Sequence, residues 1–137
     1  MRFRYLLLWL AITPQPSMAD EKASCPLALP RETVSVTAPV GWRGYSSGIV
    51  RLTGFGMMAG PPESMTYLVP ANIQKRKGGA TTTWRFAGGD EKWMYCTYDN
   101  SAAIQISKRL GDSVTECRLS YRENRPRNIV DMEAICR

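Results

Sequence analysis

The chain has 137 residues, with 18 Lys or Arg against 12 Asp or Glu, four Cys, no His and a formal net charge of +6. That length allows one domain or two very small ones. The missing imidazole excludes Ser-His-Asp and Cys-His nucleophile systems and every zinc site that needs a His ligand.

Arg2 and Arg4 precede an apolar run, Tyr5 to Ile12, and a Pro-broken stretch ending Ser17-Met18-Ala19. A basic start, a short apolar core and a small-x-small ending form the layout of a secretory signal peptide. Residues 1–19 therefore read as a leader and residues 20–137 as a mature, still basic, single domain. The apolar run is far shorter than the roughly 20 residues that cross a bilayer, so no transmembrane segment is expected. Cys25 follows Ala23 and Ser24 as a lipidated Cys would, but Lys22 stands where such a site takes an apolar residue. A free N-terminal arm is the better reading. Four Cys in an exported chain point to disulfides rather than metal, and no C-x-x-C is present to suggest a thioredoxin-type pair or a zinc ribbon.

Thr33 to Thr37 and Ile49 to Met58 read as strands, separated by bends at Pro39, Gly41, Gly44 and Gly48 that place Trp42 in a loop beside Arg43 and Tyr45. Gly54-Phe55-Gly56 followed by Gly60 approximates a phosphate-cradling loop, yet its last spacing is too long and no Lys-Ser/Thr follows. A bulged strand accounts for it better. Gly60-Pro61-Pro62-Glu63 looks like a helix entry leading into Ser64 to Leu68, a short helix of about two turns ended by Pro70. Lys75-Arg76-Lys77-Gly78-Gly79 is the densest charge run and reads as a loop tip.

The second half carries β-rich runs between turn signals: Thr81 to Phe86, Lys92 to Tyr98, Ala102 to Leu110, Val114 to Tyr121 and Ile129 to Cys136. Links this short suit hairpins, so the fold class is mainly β, an antiparallel five-strand meander with one short helix. Alternation puts Met94, Cys96 and Tyr98 on one face of their strand, as it does Ile104 with Ile106, Cys117 with Leu119 and Tyr121, and Val130 with Met132, Ala134 and Cys136. In such a sheet Cys117 falls opposite Ile106 and Cys96 opposite Ile104, which sets Cys96 and Cys117 about 10 Å apart, beyond disulfide reach. Cys117 and Cys136 share one hairpin. The expected bridges are Cys117 with Cys136 and Cys25 with Cys96.

Cys25-Pro26, Gly41-Trp42, Gly60-Pro61-Pro62-Glu63 with Leu68-Val69-Pro70, Trp84-Arg85-Phe86, Trp93 with Cys96 and Tyr98, and then Cys117 and Cys136 together resemble a family of small, exported, functionally uncharacterised proteins of Gram-negative bacteria. The landmarks span nearly the whole mature chain. The resemblance implies a signal peptide, a single domain and a periplasmic or secreted location, and supplies no activity. The chain departs from the family tendency at Gly56-Met57-Met58-Ala59, where an acidic residue is expected.

Three classes of function fit these residues. The first is a non-catalytic envelope binding protein of the inhibitor or immunity type, acting on another protein through a rigid stapled surface. Inhibition of basic lysozymes is disfavoured because this chain is itself basic. The second is a cell-surface accessory that binds an anionic glycan or lipid headgroup through Trp42, Arg43 and the Lys75, Arg76 and Lys77 run, with Arg122, Arg125 and Arg127 decorating another turn. The third is a small envelope enzyme using Glu63 or Asp131, although Asp90, Glu91, Asp131 and Glu133 show no convergence on one cleft. Trp42, Trp84 and Trp93 would suit an aromatic platform for sugars or peptides, particularly if Trp84 and Trp93 faced each other across one hairpin, but packing is the simpler role. No catalytic residue, metal or cofactor is implied, and export with no reading helix argues against nucleic acid. The binding protein ranks first.

Overall fold

The computed structural model describes residues 20–126 and 128–137; the predicted leader lies outside them. The strands are β1 (Glu21–Ala23), β2 (Ala28–Leu29), β3 (Val50–Ala59), β4 (Asn72–Arg76), β5 (Gly79–Arg85), β6 (Lys92–Tyr98), β7 (Ile104–Arg109), β8 (Glu116–Arg125) and β9 (Asn128–Cys136). They form two antiparallel sheets, one in the order β1-β9-β8-β5-β4 and the other β2-β3-β6-β7. The mainly β, antiparallel class with two disulfides is the one read from the sequence.

Side-chain alternation builds the core. Along β6, Lys92, Met94, Cys96 and Tyr98 are buried while Trp93, Tyr95 and Thr97 are half-buried on the other face. Leu52, Met57, Met94 and Tyr98 of one sheet share a core cluster with Trp84, Cys117, Leu119 and Ala134 of the other. The Phe55 and Tyr121 rings meet edge to face across the layers, with centroids 5.1 Å apart.

The connectivity differs from a continuous meander. After Arg85 the chain leaves the first sheet for β6, and after Arg109 it returns to β8, so β5 pairs with β8 and β6 with β3 and β7. Strands with large apolar residues on one face need a second layer to cover them, and without a long helix the only cover is another sheet. Trp84 and Trp93 consequently stand on different sheets, Trp84 buried and Trp93 half-buried. The two expected disulfides are present: Cys117 faces Cys136 across one hairpin as expected, but Cys96 is kept from Cys117 by their placement on different sheets rather than by distance within one. Cys96 lies opposite Ile106 in one sheet, while Cys117 lies in the other, directly opposite Cys136.

Four local expectations change. Thr33 to Thr37 is not a strand: Arg31–Thr33 is a 3-10 turn and the chain is irregular to Ile49, because β2 occupies the β3 edge through Ala28↔Arg51 and Leu29↔Val50. The helix at Ser64 to Leu68 is replaced by a 3-10 turn at Pro62–Ser64, after which Met65 turns left-handed at φ 52°. The following residues instead join the edge of β3: Ala59 N–H donates to the Thr66 carbonyl at 3.0 Å and Leu68 N–H to that of Met57 at 2.9 Å. An isolated two-turn helix is too short to compete with that edge. Lys75 and Arg76 belong to β4 rather than to a loop tip, with Lys77-Gly78 as the hairpin turn. Val130 is exposed, since the register slips between Arg122↔Asp131 and Glu123↔Ile129 and brings Ile129 inward in its place.

Candidate functional site

The β4–β5 hairpin ends one sheet, with every β4 residue exposed. Its register, Ile73↔Thr82 and Lys75↔Ala80, puts Ile73 and Lys75 on the face whose β5 members Ala80, Thr82 and Trp84 are buried. Ile73 nonetheless stays 53% exposed. Beside this hairpin lies a groove of about 560 Å³, lined by Phe55, Ile73, Trp84 and Tyr121 with Lys75, Arg76 and Glu123. The Arg76 guanidinium donates to the Tyr121 carbonyl at 3.4 Å. Gly79 lets the hairpin approach β8: a Cβ there would lie 2.1 Å from the Tyr121 carbonyl oxygen.

The segment 34–49 carries the other predicted contacts. Gly41, at φ 87°, allows the turn in which Trp42 N–H donates to the Pro39 carbonyl at 3.0 Å. That turn leaves Trp42 77% exposed, with Val36, Val40, Tyr45 and Ile49 also exposed. Arg31 donates to the Tyr45 hydroxyl at 3.3 Å, while Arg43 is exposed beside Trp42. Lys75 and Arg76 thus meet in the groove, Lys77 sits at the adjoining turn, and Trp42 and Arg43 belong to a separate segment.

An aromatic cluster on the outer face of the second sheet escaped the sequence reading. Tyr67 and Tyr95 stack edge to face at 5.0 Å, and the Tyr67 hydroxyl donates to Gln105 Oε1 at 3.0 Å. Partial burial and the neighbouring Tyr67 push the Tyr95 phenol above its ordinary value. The Tyr95 ring lies over Gly56, where an added Cβ would meet it at 2.6 Å. The glycines that resemble a phosphate loop therefore make room for side chains of β6, and the register slip between Leu52 and Gly54 is the expected bulge. The signal was present as Gly54-x-Gly56, two glycines on one face of a strand.

The acids are engaged at the surface. Asp131 pairs with Arg122 at 3.2 Å, Glu133 with Lys22 at 3.4 Å, and Glu91 accepts from Trp93 Nε1 at 3.0 Å. Glu116 is held below the usual carboxylate range by hydrogen bonds from Arg85 and Arg137. Glu63 is exposed in the 3-10 turn. Among the described residues no group of three or more His, Cys, Asp or Glu is placed to hold a metal ion, and no helix is long and apolar enough to cross a membrane.

Residues 46–137 match the family model of the Type VI secretion system Tli immunity protein. The chain belongs to this family. No curated protein and no solved structure matches it. Membership makes the chain an immunity-type protein that acts on another protein, a toxin. The match runs from within the irregular segment through β9, so Lys75, Arg76 and Lys77 fall inside it and Trp42 and Arg43 precede it. Both disulfides belong to the kind of chain that matures in an oxidising compartment.

Proposed function

We propose that the chain is a single-domain periplasmic immunity protein, delivered by the leader at residues 1–19, that neutralises an incoming toxin by binding it and without catalysis of its own. Family membership over residues 46–137 carries this reading. The scaffold suits it physically. Two sheets stapled within one hairpin and between the N-terminal arm and β6 lose little conformational freedom on binding, so more of the contact energy goes to affinity. The exposed Trp42 and Arg43, and the cations Lys75, Arg76 and Lys77, are the side chains offered to the toxin, being of types that carry or steer protein contacts.

The test is contact culture between the parent strain and a derivative lacking this chain. The derivative should be killed by its parent, survive beside a parent whose secretion system is disabled, and be rescued by the full-length chain but not by a version without residues 1–19. Equal survival of the derivative beside both attackers overturns the immunity reading. Rescue by the leaderless version overturns the periplasmic placement alone.

A further inference from the structure

On the footing of that reading, we infer that the toxin docks through an acidic extended segment laid along the free edge of β4, with an apolar side chain seated in the groove formed by Ile73, Phe55, Trp84 and Tyr121. Among the described residues β4 is the terminal strand of its sheet, paired only with β5, and all five of its residues are exposed. An unpaired edge presents backbone donors and acceptors that an incoming strand satisfies. The groove beside it includes the rings of Phe55, Trp84 and Tyr121 among its lining, and Ile73 within it is half exposed.

Charge decides the chemistry of the occupant. Of the other terminal strands, β2 carries no cation, while β1 and β7 carry cations that the chain neutralises itself: on β1, Lys22 pairs with Glu133 at 3.4 Å. On β7, Lys108 pairs with Glu21 at 3.5 Å and Arg109 with Asp112 at 3.1 Å. Lys75, Arg76 and Lys77 have no carboxylate within salt-bridge distance among the described residues, and Arg76 reaches only a carbonyl. Among the described residues Glu123 is the single carboxylate lining the groove, against two cations. Such an edge repels the same edge of a second copy and selects a strand bearing carboxylates, which protects against self-association while leaving the toxin-binding route open.

The experiment uses the same contact culture, with full-length variants in the derivative strain and both disulfides verified by mass after alkylation. Lys75→Glu with Arg76→Glu and Lys77→Glu should lower survival at least tenfold, and Ile73→Asp should do the same. Lys22→Glu with Lys108→Glu, at the neutralised edges, should leave survival unchanged. If the triple Glu variant fails to fold, Lys75→Gln with Arg76→Gln and Lys77→Gln provides the neutral version, for which a smaller loss is expected. Wild-type survival of the folded charge and Ile73 variants, in a strain that is killed without the chain, overturns the docking inference and leaves immunity standing. An equal loss from the Lys22 and Lys108 variant also overturns it, because the effect would then be one of general charge.

Discussion

Residues 50–137 and residues 31–49 obey different rules within one chain. In the first region β5, β6, β8 and β9 bury alternate residues, and the backbone is tied into two sheets. In the second no residue is buried, the bonding is confined to a few turns, and five large apolar side chains face solvent. The difference shows where the stability comes from: core burial and cross-strand pairing hold the sandwich, while the irregular segment is carried by its two ends. It also means that Trp42, exposed on this segment, costs the fold little to keep there.

The largest test of this division is to cut the staples one at a time. Cys25–Cys96 closes a sequence separation of 71 residues and Cys117–Cys136 one of 19. Each removal should cost about 2 to 5 kcal/mol, and the chain-entropy account makes the longer loop worth about 1 kcal/mol more. Urea midpoints of Cys25→Ala with Cys96→Ala, and of Cys117→Ala with Cys136→Ala, measure both losses. A smaller loss for the longer bridge would show that the N-terminal arm is held by its β1 and β2 pairing rather than by the staple.

A narrower test sits where the arm meets the core. Tyr98 is fully buried, and its hydroxyl donates to the Pro26 carbonyl at 2.8 Å. Burial pushes its pKa up to about 12 from an ordinary value of 10.0. The folded state therefore keeps the neutral phenol where the unfolded state ionises. Its stabilising contribution is complete below about pH 10 and declines as pH rises toward about 12, by roughly 2 to 3 kcal/mol in all. Tyr98→Phe should lose about 1 kcal/mol at neutral pH and flatten that part of the alkaline profile. Denaturant titrations of both proteins from pH 8 to 12 compare the slopes, and parallel profiles would place the alkaline sensitivity elsewhere.

The same division governs what the sequence disclosed. β6 was readable to the residue because Lys92-Trp93-Met94-Tyr95-Cys96-Thr97-Tyr98 alternates without interruption, and the Cys117–Cys136 bridge followed from one hairpin. Which strands share a sheet was not readable, because a short link serves equally as a hairpin or as a corner between layers, and the choice rests on which apolar faces cover one another. β4 was missed because Asn72-Ile73-Gln74-Lys75-Arg76 has no buried side and gains its strand form from β5 alone. The candidate groove was legible only in part. Lys75 and Arg76 stood out by charge, but Phe55 and Tyr121 come from different sheets and meet only after folding.

The smallest expected effect is the sharpest statement of the contrast. Trp42 is 77% exposed and, apart from its own backbone turn, hydrogen-bonded to nothing in the sandwich, so Trp42→Ala should change the urea midpoint by the equivalent of less than about 0.5 kcal/mol. A buried Trp removed in the same way, such as Trp84→Ala, should cost about 3 to 5 kcal/mol. Should Trp42→Ala instead destabilise by more than 1 kcal/mol, the segment 34–49 must pack on the sandwich in solution, and its exposed side chains would then be structural. A near-zero cost leaves Trp42 as a surface side chain with no folding role, consistent with the toxin contact proposed for it.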